Sequence, residues 1–335
     1  MALLLLAALF LDECFSEVKR FHPLVGFGNY ANFLEKTFYT NKTQWRFLSG
    51  LMCWCLAVLP IVCLSALLMW LLASYGPSWL YYVVSAVVLY FTIGQKSLTQ
   101  HGQAVSKPLL ALFNAKNSAD KNEKIQQARY GLSMIVSRDT QNATPEQMAT
   151  ATIETVTENT HDAVIGPMVF FILLGVPGAV LFRLANTLDA MWGYRTERYE
   201  WFGKCAARMD DILGFIPARI TSLLMAFASP RYFISTIKSI FLTGRRWYSP
   251  NAGLVMAAGA GALNIRLGGD AIYKGKNKTR LILGLDKNTN TASVDDIERS
   301  IKLMYKTSAL LVFAIFVMEL FTPYASLGVK AGFGL

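Results

Sequence analysis

The sequence has little charge for its length, and one long stretch has none. Only 16% of the 335 residues are Asp, Glu, Lys or Arg, whereas 53% are hydrophobic and the mean hydropathy is +0.35. An average soluble domain carries about 25% charged residues. Residues 47–95 contain no charged residue at all. At ~1.5 Å per helical residue, this run is about twice as long as a ~30 Å hydrocarbon core requires, so we expect two membrane crossings with a break at Gly76 and Pro77.

Histidine and cysteine are also scarce, which disfavours several chemistries. The chain has three His and five Cys. Cys53, Cys55 and Cys63 lie inside the first predicted span, whereas Cys14 and Cys205 are isolated. This spacing predicts neither a disulfide framework nor a structural zinc site, and no His forms a metalloprotease-type pair. Redox and zinc chemistry are therefore disfavoured.

Familiar phosphate-binding loops are missing. No GxxxxGK[ST] sequence occurs, and "GFGNYA" at 26–31 matches G-x-G-x-x-A only as a string, without a βαβ context. Nucleic-acid-binding modules are absent as well, so no nucleic-acid partner is predicted. If a nucleotide binds, it does so at a less common kind of site.

Three further apolar segments predict an all-α, polytopic membrane protein with about five such segments in total. They cover residues 163–182, roughly 211–229 and roughly 307–328, and a shorter apolar patch covers 251–265. Segment 163–182 is interrupted by Gly and Pro, which is tolerated where protein or a polar cavity satisfies the backbone. The opening "MALLLLAALFL" lacks a basic n-region and is followed by Asp12 and Glu13. We therefore expect a retained apolar segment there, too short to span alone.

We expect one integral membrane domain over residues 1–335. Its parts are an N-terminal apolar segment and loop (1–46), a two-span hairpin (47–95), a polar motif region (96–162), broken apolar segments with a motif loop (163–229), a basic polar region (230–306) and a C-terminal span (307–335).

An acidic stripe precedes the broken segment. Pro145 marks the start of a helix on which Glu154, Glu158 and Asp162 follow one another at intervals of four. Carboxylate oxygens, with the amide of Asn159, are the ligands that Mg²⁺ prefers, and Mg²⁺ normally accompanies nucleotide phosphates. The alternative is an ordinary solvated helix face. The neighbouring apolar segment favours function, because charges there are costly unless they are paired or face water.

Three more clusters combine acids with arginines, which bind phosphates and carboxylates through paired hydrogen bonds. A local ion pair at a helix end, or anchoring at the lipid headgroups, would also explain each of them. If 163–182 is re-entrant, all of them share one side of the membrane with the acidic stripe. They are "SRDT" with Arg138 and Asp139, "NTLDAMWGYRTERY" with Asn186, Asp189, Tyr194, Arg195 and Arg198, and "ARMDD" with Arg208, Asp210 and Asp211.

The region from Arg231 to Lys306 is basic, with 13 Lys and Arg against 5 acids. Two explanations remain open: the positive-inside rule, which places the region in the cytoplasm, and a surface for phosphorylated or carboxylated substrates. We read "YKGKNKTRLILGLDKNTNTASVDD" as a loop. Ser293 and Asp296 predict a capping box that opens the last helix.

Together the motifs resemble the adenosylcobinamide-phosphate synthase family of cobalamin biosynthesis, the CbiB/CobD type. The matching stretches are "RYGLSMIVSRDT", "IETVTENTHDAVIGPMVFF", "NTLDAMWGYRTERYEWFGKCAARMDDILGFIPARIT", "SPNAG", "GALNIRLGG" and "SVDDIERSIKLMY". "FHPLVGFG" also resembles a segment of that family, but "DECFSEVKRF" departs from the Gly-Asp-Pro that usually precedes it. The resemblance implies a membrane enzyme that joins (R)-1-aminopropan-2-ol or its O-phosphate to the f-propionate of adenosylcobyric acid, using ATP and Mg²⁺.

The resemblance supports these positions, and residue chemistry suggests a role for each of them. The expected catalytic residues are Glu154, Glu158, Asp162 and Asp139. Arg138, Asn159, Asn186, Asp189 and Arg208 are expected at the nucleotide, and Tyr194, Arg195, Arg198 and Asn251 at the substrates. The expected metal ligands are Glu154, Glu158, Asp210 and Asp211.

The same resemblance implies a multi-pass protein of the inner cell membrane with its active site facing the cytoplasm. Its partners would be the corrinoid, aminopropanol phosphate and the lipid bilayer; association with itself or with other enzymes of corrinoid assembly stays open. A non-enzymatic membrane signalling protein of the AmpE type and a corrinoid transporter are the alternatives.

Overall fold

The structure, a computed structural model, describes residues 1–16, 22–115, 117–273, 275–285 and 290–321. Within these ranges, five helices are long and apolar enough to cross a membrane: Thr43–Tyr75, Ser78–Ala111, Pro145–Trp192, Lys204–Ala228 and Asp295–Phe321. The prediction of an all-α, polytopic membrane protein is therefore confirmed. The predicted C-terminal span extends to 328, and its end lies outside the described residues.

The thirteen α-helices and two strands of the described ranges follow one another with short connections. The helices are α1 (Ala2–Phe15), α2 (Pro23–Phe38), α3 (Thr43–Tyr75), α4 (Ser78–Thr92), α5 (Gln95–Ala111), α6 (Ser118–Ser133), α7 (Pro145–Thr160), α8 (Gly166–Trp192), α9 (Tyr199–Phe202), α10 (Lys204–Ala228), α11 (Phe233–Leu242), α12 (Ala252–Leu263) and α13 (Asp295–Phe321). The strands are β1 (Leu267–Tyr273) and β2 (Lys276–Leu283).

The chain divides into two compact units, each built from separate stretches of sequence. The first unit contains 1–94, 162–217 and 311–335, and the second contains 95–161 and 218–310. The prediction of one integral membrane domain over residues 1–335 stays a prediction.

The first unit is built around α3, which packs against α2, α8 and α9. Its core is aromatic and aliphatic, with Phe27, Trp54, Leu188, Trp192 and Phe202 all buried. Much of the remaining surface of α3 and α4 consists of exposed large apolar side chains. Apolar exposure on this scale suits a lipid environment, where it costs nothing.

Helix α8 folds back on itself at Gly175. The backbone there has φ 66° and ψ −152°, a conformation that is essentially restricted to glycine. As a consequence, the rings of Phe170 and Phe182 lie only 5.2 Å apart, although twelve residues of straight helix would separate them by ~18 Å. Gly178 approaches so closely that a Cβ there would lie 2.3 Å from the Phe170 carbonyl oxygen. The Gly/Pro-rich segment is thus a helical hairpin, the geometry expected of a re-entrant segment.

The second unit packs α5, α6, α7, α11 and α12 together. Helix α7 begins as predicted at Pro145, and Thr144 and Gln147 form a reciprocal capping box before it. Every residue of α12 is buried, as expected for a helix that is apolar on all sides. Its Gly259 allows α7 to approach, because a Cβ there would lie 2.4 Å from the Thr157 Cγ2 atom.

A β-hairpin contradicts the predicted loop in the basic region. Strands β1 and β2 pair antiparallel, with an irregularity between Gly268 and Asp270. The Thr279 hydroxyl donates a hydrogen bond of 2.7 Å to Asp270 across the pair. Strand β2 is polar at 276–280 and apolar at 281–283, so it lacks the alternation of polar and apolar residues that predicts a strand.

Candidate functional site

A polar cavity of about 780 Å³ lies within the second unit. This volume is in the range of small-molecule sites. The α6–α7 connection, the start of α7 and the β-hairpin provide its walls. The lining residues are Leu132, Arg138, Asp139, Thr140, Gln141, Asn142, Ala143, Glu146, Gln147, Thr150, Gly268, Asp270, Ala271, Gly275, Arg280 and Thr291. We call it the arginine cavity, after Arg138 and Arg280.

The two arginines meet at one buried carboxylate. Glu154, on α7, is 3% exposed. Arg280 donates to both of its carboxylate oxygens, at 2.9 and 3.0 Å, and Arg138 donates to Oε2. The backbone N–H of Gly268 donates to Oε1 at 2.7 Å. Charged hydrogen bonds of this kind are roughly twice as strong as neutral ones, so the group is rigidly held.

Arg280 is fixed on further sides. Its Nε donates to the Gly269 carbonyl at 3.2 Å, and its guanidinium carbon lies 5.7 Å from the centre of the Trp247 ring. The side chain is only 7% exposed, against 15% for Arg138. A buried charge is tolerated when it is paired and hydrogen-bonded. Here the charged group is Arg280 on β2, and its partner is Glu154 on α7.

Asp139 ties the α6–α7 connection to the β-hairpin. Its Oδ2 accepts a hydrogen bond of 2.7 Å from the backbone N–H of Gly275, which has φ 74° in the turn between the strands. Three of the predicted residues therefore lie together: Arg138 and Asp139 line the arginine cavity, and Glu154 contacts Arg138 beside it.

A second set of predicted residues is brought together in the first unit, and we call it the acidic group: Asp162, Asp189, Asp210 and Asp211. The α8 hairpin brings Asp162 near Asp189, and both carboxylates act electrostatically on Asp210. Asn186 donates a hydrogen bond of 3.2 Å to Asp210, and Arg208 acts on Asp211. Predicted residues from three motifs thus meet in this unit.

The predicted acidic stripe extends past the end of α7. Glu154 and Glu158 lie on α7, whereas Asp162 lies on the π-helical turn His161–Ile165 that follows it. The donors around Glu154 already occupy both of its oxygens, so this geometry disfavours its predicted role as a metal ligand. Among the described residues, no group of three or more His, Cys, Asp and Glu side chains is arranged to hold a metal ion.

Two predicted amides, Asn159 and Asn251, form hydrogen bonds within the second unit. Asn159 donates to the Thr155 carbonyl one turn earlier on α7, at 3.0 Å. Asn251 accepts a hydrogen bond of 2.8 Å from Arg219 and is 4% exposed. Neither residue lines the arginine cavity, and their predicted roles at the nucleotide and the substrates stay predictions.

Arg198 is held by another part of the first unit. Its Nε donates to Glu35 at 2.8 Å, and its guanidinium carbon lies 4.3 Å from the centre of the Tyr39 ring. The hydrogen bond to Glu35 raises the pKa of the Arg198 guanidinium. Tyr199 also donates to Glu35, at 3.1 and 3.2 Å. Tyr194 and Arg195, on the same connection, are exposed and stay predicted substrate contacts.

Sequence reasoning missed Arg280, Gly268 and Glu35. Arg280 lies in the predicted loop, and 126 residues separate it from Glu154. Because polar and apolar residues do not alternate in β2, the sequence contains no clear signal for this strand or for its partner. Glu35 is a buried acid in the apolar helix α2, a rare placement that marks a paired charge.

Comparison with known proteins gives a consistent result. The family model described as "CobD/Cbib protein" matches residues 5–304. A cobalamin biosynthesis protein CobD from Chromobacterium violaceum is 42% identical over 311 residues, covering 90% of this chain and 92% of the relative. A protein of the same name from Stutzerimonas stutzeri is 43% identical over 281 residues, covering 83% and 86%.

A more distant relative bears the second name of the family model. The cobalamin biosynthesis protein CbiB of Salmonella arizonae is 36% identical over 242 residues, covering 71% of this chain and 72% of the relative. No solved structure matches the chain. Together with five apolar helices and two clusters built from the matching motifs, these likenesses place the chain in the CobD/CbiB family of cobalamin biosynthesis proteins.

Proposed function

We propose that this protein is an ATP-dependent amide ligase, an adenosylcobinamide-phosphate synthase. It would join (R)-1-aminopropan-2-ol, or its O-phosphate, to the f-propionate of adenosylcobyric acid. The observation that carries the proposal is the arginine cavity, a buried and rigid pair of guanidinium groups in a chain of the CobD/CbiB family. Such groups neutralise the charge of a phosphoryl group during its transfer.

The reaction would proceed through an acyl phosphate. A propionate oxygen attacks the γ-phosphorus of ATP, the bond to the β–γ bridging oxygen breaks, and ADP leaves. The amine nitrogen then attacks the acyl carbon, the bond from carbon to the phosphate oxygen breaks, and phosphate leaves while the nitrogen loses a proton. Arg138 would bind phosphate oxygens throughout, and Asp139 would orient the connection that carries Arg138.

Magnesium would be held by carboxylates, and its role would be to neutralise phosphate charge. A nucleotide-bound Mg²⁺ needs only one or two protein carboxylates, so the donor chemistry of the predicted ligands Asp210 and Asp211 fits it, and Glu158 stays a predicted ligand. Asp162 and Asp189 would add to the negative potential that attracts the ion.

The proposed active site faces the cytoplasm, where ATP is found. The α8 hairpin supports this orientation, because a segment that folds back returns the chain to the side from which it entered. A cysteine placed at position 198 should then be inaccessible to impermeant reagents from the periplasmic side. Labelling from that side would contradict the proposed orientation.

The test is a reaction with purified protein in detergent. Adenosylcobyric acid, aminopropanol phosphate and Mg·ATP are supplied, and the corrinoid product is followed by mass. We expect an ATP-dependent mass gain that matches amide formation, and we expect Glu158→Ala to abolish it while the protein still inserts into membranes. Folded protein that forms no product with either the free or the phosphorylated amine would overturn the proposal.

A further inference from the structure

The arginine cavity contains an arrangement that the sequence does not predict: one carboxylate beneath two guanidinium groups. Glu154 does not line the cavity, whereas both of its partners, Arg138 and Arg280, do. The bidentate contact with Arg280 fixes the plane of that guanidinium, since two parallel hydrogen bonds leave little freedom to rotate. Glu154 is thus placed to orient the arginines rather than to touch a ligand.

Within the part of the chain that the structure describes, Arg138 uses only some of its donors. Its guanidinium has five N–H groups, and a single terminal nitrogen contacts Glu154. The side chain is 15% exposed, and the connection that carries it forms one wall of the cavity. Arg138 therefore presents donors to the cavity while Glu154 holds it in place.

Both guanidinium groups reach the cavity wall from a fixed position. Arg138 and Arg280 line the cavity, and each is paired with Glu154 beneath it. The lining carboxylates Asp139 and Asp270 accept hydrogen bonds from the β-hairpin, from the Gly275 N–H and the Thr279 hydroxyl. Planar guanidinium groups match the oxygens of a phosphoryl group, which they can bind through parallel hydrogen bonds.

We propose that Arg138 and Arg280 together bind a phosphoryl group in this cavity, and that Glu154 is the positioning residue that orients them. Arg280 becomes a ligand-binding residue, and the role of Glu154 is orientation rather than metal binding. The inference rests on the proposed function, because that function identifies the two candidate sources of the phosphoryl group. They are ATP and the aminoalcohol phosphate.

The experiment measures equilibrium binding to full-length protein in detergent, without corrinoid. ATP and (R)-1-aminopropan-2-ol O-phosphate are titrated separately, and adenosine and the unphosphorylated amine serve as ligand controls. We expect one of the phosphorylated ligands to bind, and we expect Arg280→Gln to weaken its binding about 10- to 100-fold, the loss expected for charged hydrogen bonds. The ligand that responds identifies the source of the phosphoryl group.

Lys278→Gln is the matched control variant. It removes a positive charge two residues earlier on the same strand, from an exposed side chain that does not line the cavity. We expect its dissociation constant to stay within about twofold of the wild-type value, because general surface charge contributes little. If Arg280→Gln does not fold, Arg280→Lys keeps the charge but loses the planar fork, and we expect binding about 10-fold weaker.

A second readout separates positioning from a purely structural role. Glu154→Gln keeps the size of the side chain and removes its charge, so we expect a higher KM for the phosphorylated substrate and an unchanged KM for the corrinoid. Glu154→Asp should restore part of the affinity. A lower kcat with both KM values unchanged would contradict a positioning role.

The outcomes separate this inference from the proposed function. Wild-type protein that binds neither phosphorylated ligand, or an Arg280 variant that binds them as the wild type does, overturns the inference. Intact, arginine-dependent binding without product formation overturns only the ligase activity. Product formation that Arg280→Gln and Arg280→Lys leave unchanged overturns only the inference.

Discussion

The arginine cavity and the acidic group treat their carboxylates in opposite ways. Glu154 accepts hydrogen bonds from two positively charged groups, Arg138 and Arg280, and from the neutral Gly268 N–H. In the acidic group, Asp210 meets the carboxylates of Asp162 and Asp189, with the neutral amide of Asn186 as a donor.

The difference separates a carboxylate that has compensating cations from carboxylates that crowd one another. Residues of the fold itself already compensate the charge of Glu154, so its removal should damage the protein. Crowded like charges raise the free energy of the folded state, and a bound cation lowers it. Replacing a carboxylate by a neutral side chain should therefore lower the stability of the folded protein at Glu154, and should leave it unchanged or raise it in the acidic group.

The largest effect is expected for Glu154→Ala. The substitution leaves two buried guanidinium groups without their carboxylate, and losing one member of a buried pair typically costs about 3–5 kcal/mol. Thermal and denaturant unfolding of the purified protein in one detergent would measure the loss. Glu123→Ala, an exposed carboxylate on α6, is the control and should change stability by about 0.5 kcal/mol or less. Equal losses for the two variants would remove the contrast.

Asp210→Asn should behave in the opposite way. The asparagine still accepts the hydrogen bond from Asn186, but one of the crowded carboxylates is gone, so stability without metal should stay unchanged or rise. Mg²⁺ at 100 times its Kd would stabilise the wild type by about 2.7 kcal/mol, and we expect this gain to shrink in the variant. Thermal unfolding with and without Mg²⁺ measures both effects, with Glu123→Gln as control. An undiminished gain would exclude Asp210 as a ligand.

Gly175→Ala tests whether the hairpin assembles the acidic group. The backbone conformation at Gly175 is strained for any residue with a Cβ, and such strain costs about 1–3 kcal/mol. Gly26→Ala in α2 is the matched control, since nothing lies within 4 Å of a Cβ there, and it should be neutral or stabilising. The comparison uses thermal unfolding of both variants. If Gly175→Ala matched Gly26→Ala, the turn at Gly175 would not be required.

Local patterns in the sequence predict much of this fold. The uncharged run 47–95 and the apolar segments become helices, because burial in lipid depends on composition over ~20 residues. The start of α7 is equally local, since Thr144, Pro145 and Gln147 satisfy their own backbone. The richness of 163–182 in Gly and Pro predicts a break. The direction of that break depends on one φ value at Gly175, which composition does not encode.

The candidate site was only half predictable, for a related reason. Arg138, Asp139 and Glu154 stand out as polar residues in motifs near apolar segments. Their chemistry changes once Arg280 is added, and that contact joins residues far apart in the sequence. A single sequence records no pairing at this range, so the contact of Arg280 with Glu154 could not be predicted.

The smallest expected effect concerns the cluster of Glu35, Arg198 and Tyr199. Like Glu154, Glu35 is a buried carboxylate paired with an arginine, but here the arginine is exposed. Glu35 is buried, but Arg198 is 49% exposed, so water weakens the pair relative to Glu154 and Arg280. Burial raises the pKa of the Tyr199 phenol, and the Glu35 carboxylate raises it further. The neutral phenol therefore adds stability below the unfolded-state value of about 10, and this stability is lost as the pH rises through the raised pKa.

Tyr199→Phe removes the hydrogen bonds to Glu35 and should cost about 1 kcal/mol at neutral pH. The stability difference between wild type and variant should then shrink above about pH 10, where the wild type begins to lose its phenol proton. Thermal unfolding at two pH values measures it, and Tyr30→Phe controls for a phenol that bonds the Leu56 carbonyl instead. A constant difference across that range would mean that the proton on Tyr199 does not contribute to this cluster, and that burial of Glu35 is compensated by Arg198 alone.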